Sequence, residues 1–267
     1  MKSKTGPNPQ TIRRLAERLR DAGETGVAID PIRDELPPGD IDAAYAVQKA
    51  NTAHWLRRGR RLIGRKIGLT SKAVQKQLGV DQPDYGMLFA DMALADGEEV
   101  ALALVMQPKV EAEVALVMAK DLKKKDASMA ELIASVDYCV AAIEIVGSRI
   151  DKWNIRIQDT IADNASGALF VLGNEPKKLE GLDLRLCGMV MERRGEQISL
   201  GAGIACLGNP LNAALWLART MAQIGAPLKA GDVIMTGALG PMATVAPGDM
   251  IEVRISGLGS VRTSFGA

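Results

Sequence analysis

Histidine is nearly missing from this chain: among 267 residues there is one, His54. Any Ser-His-Asp or Cys-His machinery would have to be built on it. His54 lies within Ile41 to Arg58, which reads as a helix closed by Gly59, and beside Trp55 and Leu56 a packing or surface role is expected. Cysteine is also sparse. Cys139, Cys187 and Cys206 lie far apart, form no C-x-x-C pair and cannot all pair within one chain, so reduced thiols in a cytoplasmic protein are expected. Nor is there a surplus of charge. With 33 Lys+Arg against 32 Asp+Glu, a net charge of +1 provides no global drive toward nucleic acid or a membrane and leaves a small neutral or anionic metabolite as the easier partner. No apolar run approaches the roughly 20 residues of a membrane span. The polar start Met1 to Gln10 lacks the apolar core of a signal peptide, and the Arg-rich stretch after it carries Glu17, Asp21 and Glu24, unlike a transit peptide.

What is present divides the chain near residue 60. Asn8-Pro9 is an N-cap followed by a proline at the first helical position, and Ile12, Leu15 and Leu19 recur on one face up to Gly23. A connector with Pro31, Pro37, Pro38 and Gly39 follows, and the second helix starts after Asp40. Residues 1–60 therefore read as a helical N-terminal portion and residues 61–267 as a β-rich catalytic domain. Arg57, Arg58, Arg60 and Arg61 read as a solvated helix end. Beyond it, Leu62 to Gly68 reads as a strand, Ser71 to Leu78 as a helix between Thr70 and Gly79, and Val80 to Asp91 as a loop. Strands are expected at Val100 to Met106, Val110 to Met118, Tyr138 to Val146, Leu169 to Gly173, Asp183 to Arg193 and Ile198 to Gly203. A capping box, Ser128 to Glu131, starts a short helix, Asn209-Pro210 opens a longer one running to Gly225, and three short strands near residues 232–236, 250–256 and 260–265 close the chain. Strands and helices do not alternate strictly, so the expected class is α+β: a mixed or antiparallel β-core with a helical N-terminal cap, rather than a doubly wound parallel sheet.

Three carboxylates fall where a core should be apolar. Glu111 and Glu113 project together from one strand while Val110, Ala112 and Val114 pack the other way, and Glu144 sits inside Ala141-Ala142-Ile143-Glu144-Ile145-Val146. Two alternate glutamates can simply line the wet face of a strand, but Glu144 has only apolar neighbours. An unpaired buried carboxylate costs several kcal/mol, and an all-oxygen cluster suits a hard divalent cation, Mg²⁺ or Mn²⁺. Lys66 stands on a strand between Gly64 and Gly68; it could be a snorkelling surface lysine, or, with its pKa lowered beside a bound cation, a group that moves protons. Asp84 lies in a turn-rich stretch where an Asx-turn is its structural alternative. The segments Asp163 to Gly167 and Thr236 to Pro241 can place hydroxyls and amides around a substrate carboxylate, which makes Ser166, Thr236 and Gly237 candidate binding residues.

Six segments in order are more specific than any one of them. Gly64-Arg65-Lys66-Ile67-Gly68-Leu69-Thr70, Gly79 to Gly86, Gln107-Pro108-Lys109-Val110-Glu111-Ala112-Glu113, Glu144 to Arg149, Ala162 to Ser166 and Gly237 to Met242 closely resemble the hydratase/decarboxylase branch of the fumarylacetoacetate hydrolase superfamily. The resemblance covers nearly the whole chain. It implies a twisted β-roll with a smaller N-terminal part, Mg²⁺ or Mn²⁺ held by Glu111, Glu113 and Glu144, and catalytic roles for Lys66 and Asp84, with their shares in moving protons and activating water unassigned. The activity implied is addition of water to 2-hydroxypenta-2,4-dienoate (2-keto-4-pentenoate) in aromatic-compound catabolism. The alternative on the same fold is 4-oxalocrotonate decarboxylation, and a non-catalytic partner subunit is disfavoured by the intact residue set. Superfamily members that hydrolyse C–C bonds need a histidine-centred water activation, which His54 suits poorly. A homo-oligomer is expected, with association with a pathway aldolase or decarboxylase as a further expectation. Asn209 stands where relatives often have histidine and, as a good cap, should preserve function.

Overall fold

Two long strands, β5 (Lys109–Met118) and β6 (Val136–Val146), form the spine of the molecule, and apart from Val117 and Val136 their valines, alanines and isoleucines are buried on both faces. The computed structural model describes residues 8–72, 75–76 and 80–266. β5 and β6 pair antiparallel along their length. Around them lie β1 (Leu62–Gly68), β2 (Asp84–Phe89), β3 (Ala93–Leu94), β7 (Gly167–Leu172), β10 (Val233–Ala238) and β11 (Ala243–Thr244), making an eight-stranded mixed sheet of order β2-β1-β10-β5-β6-β7-β3 with β11 paired to β5. β1/β10 and β3/β7 are its parallel pairs. A five-stranded sheet, β4 (Glu99–Val100), β13 (Gly259–Phe265), β12 (Met250–Ile255), β8 (Gly188–Arg193) and β9 (Glu196–Ala202) in that order, packs against β6 and β7 through β12 and β13. One apolar core runs between the sheets, with Leu116, Ile143, Phe170 and Phe265 fully enclosed. The expected α+β class is what forms.

Helices α1 (Pro9–Thr25) and α2 (Ile41–Arg57) start where the caps predict: Asn8 accepts from Gln10 N and Asp40 from Ala43 N. Gly23 does not end α1, which runs a few residues further to a left-handed Gly26. Leu15, Leu19, Ala43 and Val47 form a second core with Ile150, Ile157 and Ile161, so these helices rest on the short helix α4 (Ile157–Ala162). The intervening α3 (Met129–Ile133) carries the full Ser128/Glu131 capping box, and α5 (Pro210–Gln223), capped by Asn209, buries Ala214, Leu217 and Met221 in the main core.

Three expectations are corrected. Val80 to Asp91 is not all loop, because Asp84–Phe89 pairs along β1 as a fully buried strand that the Asp81-Gln82-Pro83 turn masks in the sequence. Val100 to Met106 is strand only at its first residue; Leu102–Leu104 turns into a 3-10 helix ahead of a left-handed Gln107, leaving Leu104 exposed. Asp183 to Cys187 is a turn held by Asp183 Oδ1, which accepts from Arg185 N and Leu186 N, so β8 starts later than expected. The helix expected from Ser71 to Leu78, with Gly79 at its end, lies partly outside the described residues; Lys72, Gln75 and Lys76 are helical.

Candidate active site

The register of β5 on β6 sets Glu111 directly opposite Glu144, and the pleat puts Glu113 on the same face. One carboxylate oxygen from each of the three lies within 4.8 Å of the others. Glu113 and Glu144 are buried, and Glu113 Oε1 and both oxygens of Glu144 have no hydrogen-bond partner. The remaining Glu113 oxygen accepts from Gly237 N at 2.8 Å. That amide is aimed by a bulge. The pairing of β10 on β5 passes from Met235/Ala115 to Ala238/Glu113, one residue too many on β10, and Gly237 absorbs it at φ +109°. A Cβ at Gly237 would lie 2.4 Å from the Thr70 side chain, so a larger residue would push the amide away.

Asp84 and Lys66 complete the same face. Gly68 pairs with Asp84 and Gly86 with Lys66 across β1 and β2. Lys66 Nζ lies 3.2 Å from Glu144 Oε1 and donates to the Ala165 carbonyl at 2.9 Å. Asp84 is buried with no side-chain hydrogen-bond partner for either carboxylate oxygen, in space that exists because residue 68 is glycine: a Cβ there would come within 2.2 Å of Asp84 Oδ1 and 3.5 Å of Lys66 Nζ. Asp84 is therefore no Asx-turn residue, and Lys66 does not snorkel.

The electrostatics follow from burial. Removal from water pushes Asp84 up to about 6, helped by Glu144 and opposed by Lys66. Burial raises Glu111 to about 7, with Glu144 adding to the effect, and lifts Glu113 well above the ordinary carboxylate range. For Lys66, burial alone would favour the neutral amine, but Glu144, Asp84, Glu111 and Glu113 outweigh it and hold the ammonium form. One cation against these carboxylates leaves the cluster short of positive charge, with orphaned oxygens aimed at a common point. Such an all-oxygen donor set fits a hard divalent cation, which would satisfy the unpartnered atoms and the charge together.

The candidate substrate-binding residues separate. Gly237 joins the cluster through its amide. Ser166 follows Ala165 but shares a hydrogen bond with Thr160 Oγ1 at 3.2 Å. The Thr236 hydroxyl donates to Val114 O at 2.8 Å, so its proton is engaged by the neighbouring strand. Within the segment Asp163 to Gly167 the sequence does not single out Ala165, whose carbonyl meets Lys66 and carries no side-chain signal, or Asn164, whose signal is asparagine's tolerance of left-handed backbone. His54 sits on α2, edge-on to Trp55 and apart from this cluster, and Asn209 accepts from Leu211 N as a cap. Arg60 pairs with Asp91 and lies over Trp55 and Phe89. The cysteines are free and buried. Among the described residues no helix is long and apolar enough to cross a membrane.

Residues 46–265 match the family model described as fumarylacetoacetate (FAA) hydrolase C-terminal. The chain belongs to the fumarylacetoacetate hydrolase family. Among curated members it is 59% identical, over 95% of both chains, to the "TodF product hydratase" of Pseudomonas putida. It is 57% identical, over 94% of this chain and 95% of the other, to 2-keto-4-pentenoate hydratase 1 of Dechloromonas aromatica. Among solved structures of the family it resembles the 4-oxalocrotonate decarboxylase of Pseudomonas putida G7, complexed with magnesium and adipate, at 36% identity and a TM-score of 0.93, covering 97% of this chain and 98% of that one.

Proposed function

We propose that this protein is a metal-dependent hydro-lyase that adds water to 2-hydroxypenta-2,4-dienoate to give 4-hydroxy-2-oxopentanoate. The observation that carries the reading is the buried Lys66 and Asp84 pair standing on one sheet face with Glu111, Glu113 and Glu144, in a chain close to curated hydratases over nearly its full length. Glu111, Glu113 and Glu144 would hold Mg²⁺ or Mn²⁺, which supplies a Lewis acid for the 2-oxygen and carboxylate of such a substrate.

The protein's own groups account for the proton movements. The enol must lose its O2 proton and gain one at C5, giving a 2-oxo-3-enoate; water then delivers its oxygen to C4 and a proton to C3. Asp84, buried with no side-chain hydrogen-bond partner and a pKa raised by burial to about 6, takes up and returns a proton near neutral pH. Lys66, tethered by Ala165 O and Glu144, keeps a positive charge beside the developing oxyanion. Gly237 keeps Glu113 in place through its amide, and Ser166 and Thr236 shape the backbone around the substrate carboxylate.

The likeness to 4-oxalocrotonate decarboxylase supports a second reading, loss of CO₂ from a diacid, which the higher identity to hydratases disfavours. Reaction in ¹⁸O-water tests the first: the label is expected at C4 of the product, and a product without it would overturn hydration. Free buried thiols suit a cytoplasmic location, and exposed Leu186, Leu200 and Met250 suit assembly into a homo-oligomer, to which a pathway aldolase or decarboxylase would add.

A further inference from the structure

The turn between α4 and β7 holds the most strained backbone near the site. Asn164, Ala165 and Ser166 have φ of 55°, 50° and 57°, three consecutive non-glycine residues in the left-handed region, where β-carbon sterics disfavour L-residues. Such a run persists only when its surroundings hold it, and here the anchors are separate. At its start Asp163 O accepts from Arg149 Nη2 at 2.6 Å and Asp163 Oδ2 from Arg149 N at 2.9 Å. At its end Ser166 O accepts from Gly147 N at 2.8 Å. In the middle Asn164 grips β2 with both ends of its amide: Oδ1 accepts from Met87 N at 2.7 Å and Nδ2 donates to Met87 O at 3.0 Å.

The middle anchor bears on Lys66. Met87 adjoins Gly86, the cross-strand partner of Lys66. A Cβ on Gly86 would lie 2.3 Å from Asn164 O and 3.1 Å from Lys66 Cδ, so the absent side chain is what lets turn and lysine approach each other over β2. The next carbonyl in the turn, Ala165 O, is the hydrogen-bond acceptor of Lys66 Nζ. We infer that Asn164 is a positioning residue: its two-point clamp on Met87, admitted by Gly86, fixes the left-handed turn so that Ala165 O holds the Lys66 ammonium against Glu144. The inference rests on the proposed role of Lys66 and adds the device that places it.

Asn164→Gly separates the clamp from the backbone, since glycine adopts the left-handed conformation freely but makes neither bond to Met87. With the Mg²⁺-loaded protein and whichever substrate the wild type turns over, Asn164→Gly is expected to lower kcat by roughly 10- to 100-fold, the scale of a misplacement of about 1 Å. KM, Mg²⁺ affinity and the cooperative melt should stay near wild type. Gly86→Ala should act in the same direction, and the double variant should lose less than the product of the two. A crystal structure of Asn164→Gly should show Ala165 O withdrawn from Lys66 Nζ; this distance is readable even if the wild type proves not to hydrate the dienoate, which keeps the two readings separable. Wild-type kcat in Asn164→Gly, an unmoved Ala165 carbonyl, or equal losses in kcat and folding stability would overturn the clamp.

Discussion

Replacing Asp84 with asparagine is expected to lower turnover by roughly 10²- to 10⁴-fold, the usual contribution of a positioned proton carrier, while making the metal-free protein more stable. The two effects have one cause. Asp84 is buried without a side-chain hydrogen bond, so its charge weakens the fold at the pH where the proposed chemistry needs it. Its pKa is about 6 in the folded state, above its ordinary 3.8, so the folded protein binds the proton more tightly. Stability attached to this group is therefore fully present below about 3.8 and lost as pH rises through about 6. Asparagine keeps the shape and removes the titration. Metal-free melts of Asp84→Asn should match the wild type under acid conditions and exceed it at pH 8, while steady-state assays with Mg²⁺ show the loss. Wild-type turnover in this variant would remove Asp84 from the reaction.

The largest effect on cation binding is expected from Glu144→Gln. Glu144 offers two carboxylate oxygens without a hydrogen bond, one of them ion-paired with Lys66, so its removal takes away a charged group of the cluster and unbalances the lysine. Mg²⁺ affinity should fall by more than the roughly 10- to 100-fold that loss of a merely supporting group produces. A related pH dependence belongs to the wild type. Burial raises Glu111 to about 7 and lifts Glu113 well above the ordinary carboxylate range, so protons compete with the cation for the same oxygens. Both pKa values lie above those of the unfolded chain. The associated stability of the metal-free protein is present below about 4.5 and declines as pH rises through about 7, and Mg²⁺ should restore it. Calorimetric titration in two buffers of different ionisation enthalpy should show protons released on binding and affinity rising from pH 5 to 8. Equal affinity across that range, or an unchanged titration in Glu144→Gln, would contradict the metal site.

How much of this was legible in the sequence depended on whether a side chain or a backbone conformation carried it. The glutamates stood out because a carboxylate among Ala141, Ile143 and Ile145 conflicts with its neighbours, and strand alternation then fixed which face Glu111 and Glu113 share. The helix starts at Asn8, Asp40, Ser128 and Asn209 were legible because each is a local hydrogen bond written in the residue itself. β2 was obscured because the turn before it has stronger local chemistry than the strand, whose existence depends on pairing with the distant β1. The Gly237 bulge and the left-handed run at Asn164 to Ser166 were invisible for a related reason: both are imposed by tertiary contacts, to Glu113 and to Met87, that no local pattern encodes. The hydroxyls of Ser166 and Thr236 read in the sequence as candidate substrate contacts, and in the structure each also hydrogen-bonds within the protein, to Thr160 and to Val114.

The most direct test of the account is product identification by NMR after the Mg²⁺-loaded protein meets, in parallel, 2-hydroxypenta-2,4-dienoate and the six-carbon diacid 4-oxalocrotonate. The account requires 4-hydroxy-2-oxopentanoate from the monoacid, its formation abolished by chelation of the metal and by Asp84→Asn. Carbon dioxide released from the diacid with the monoacid left unhydrated would contradict it.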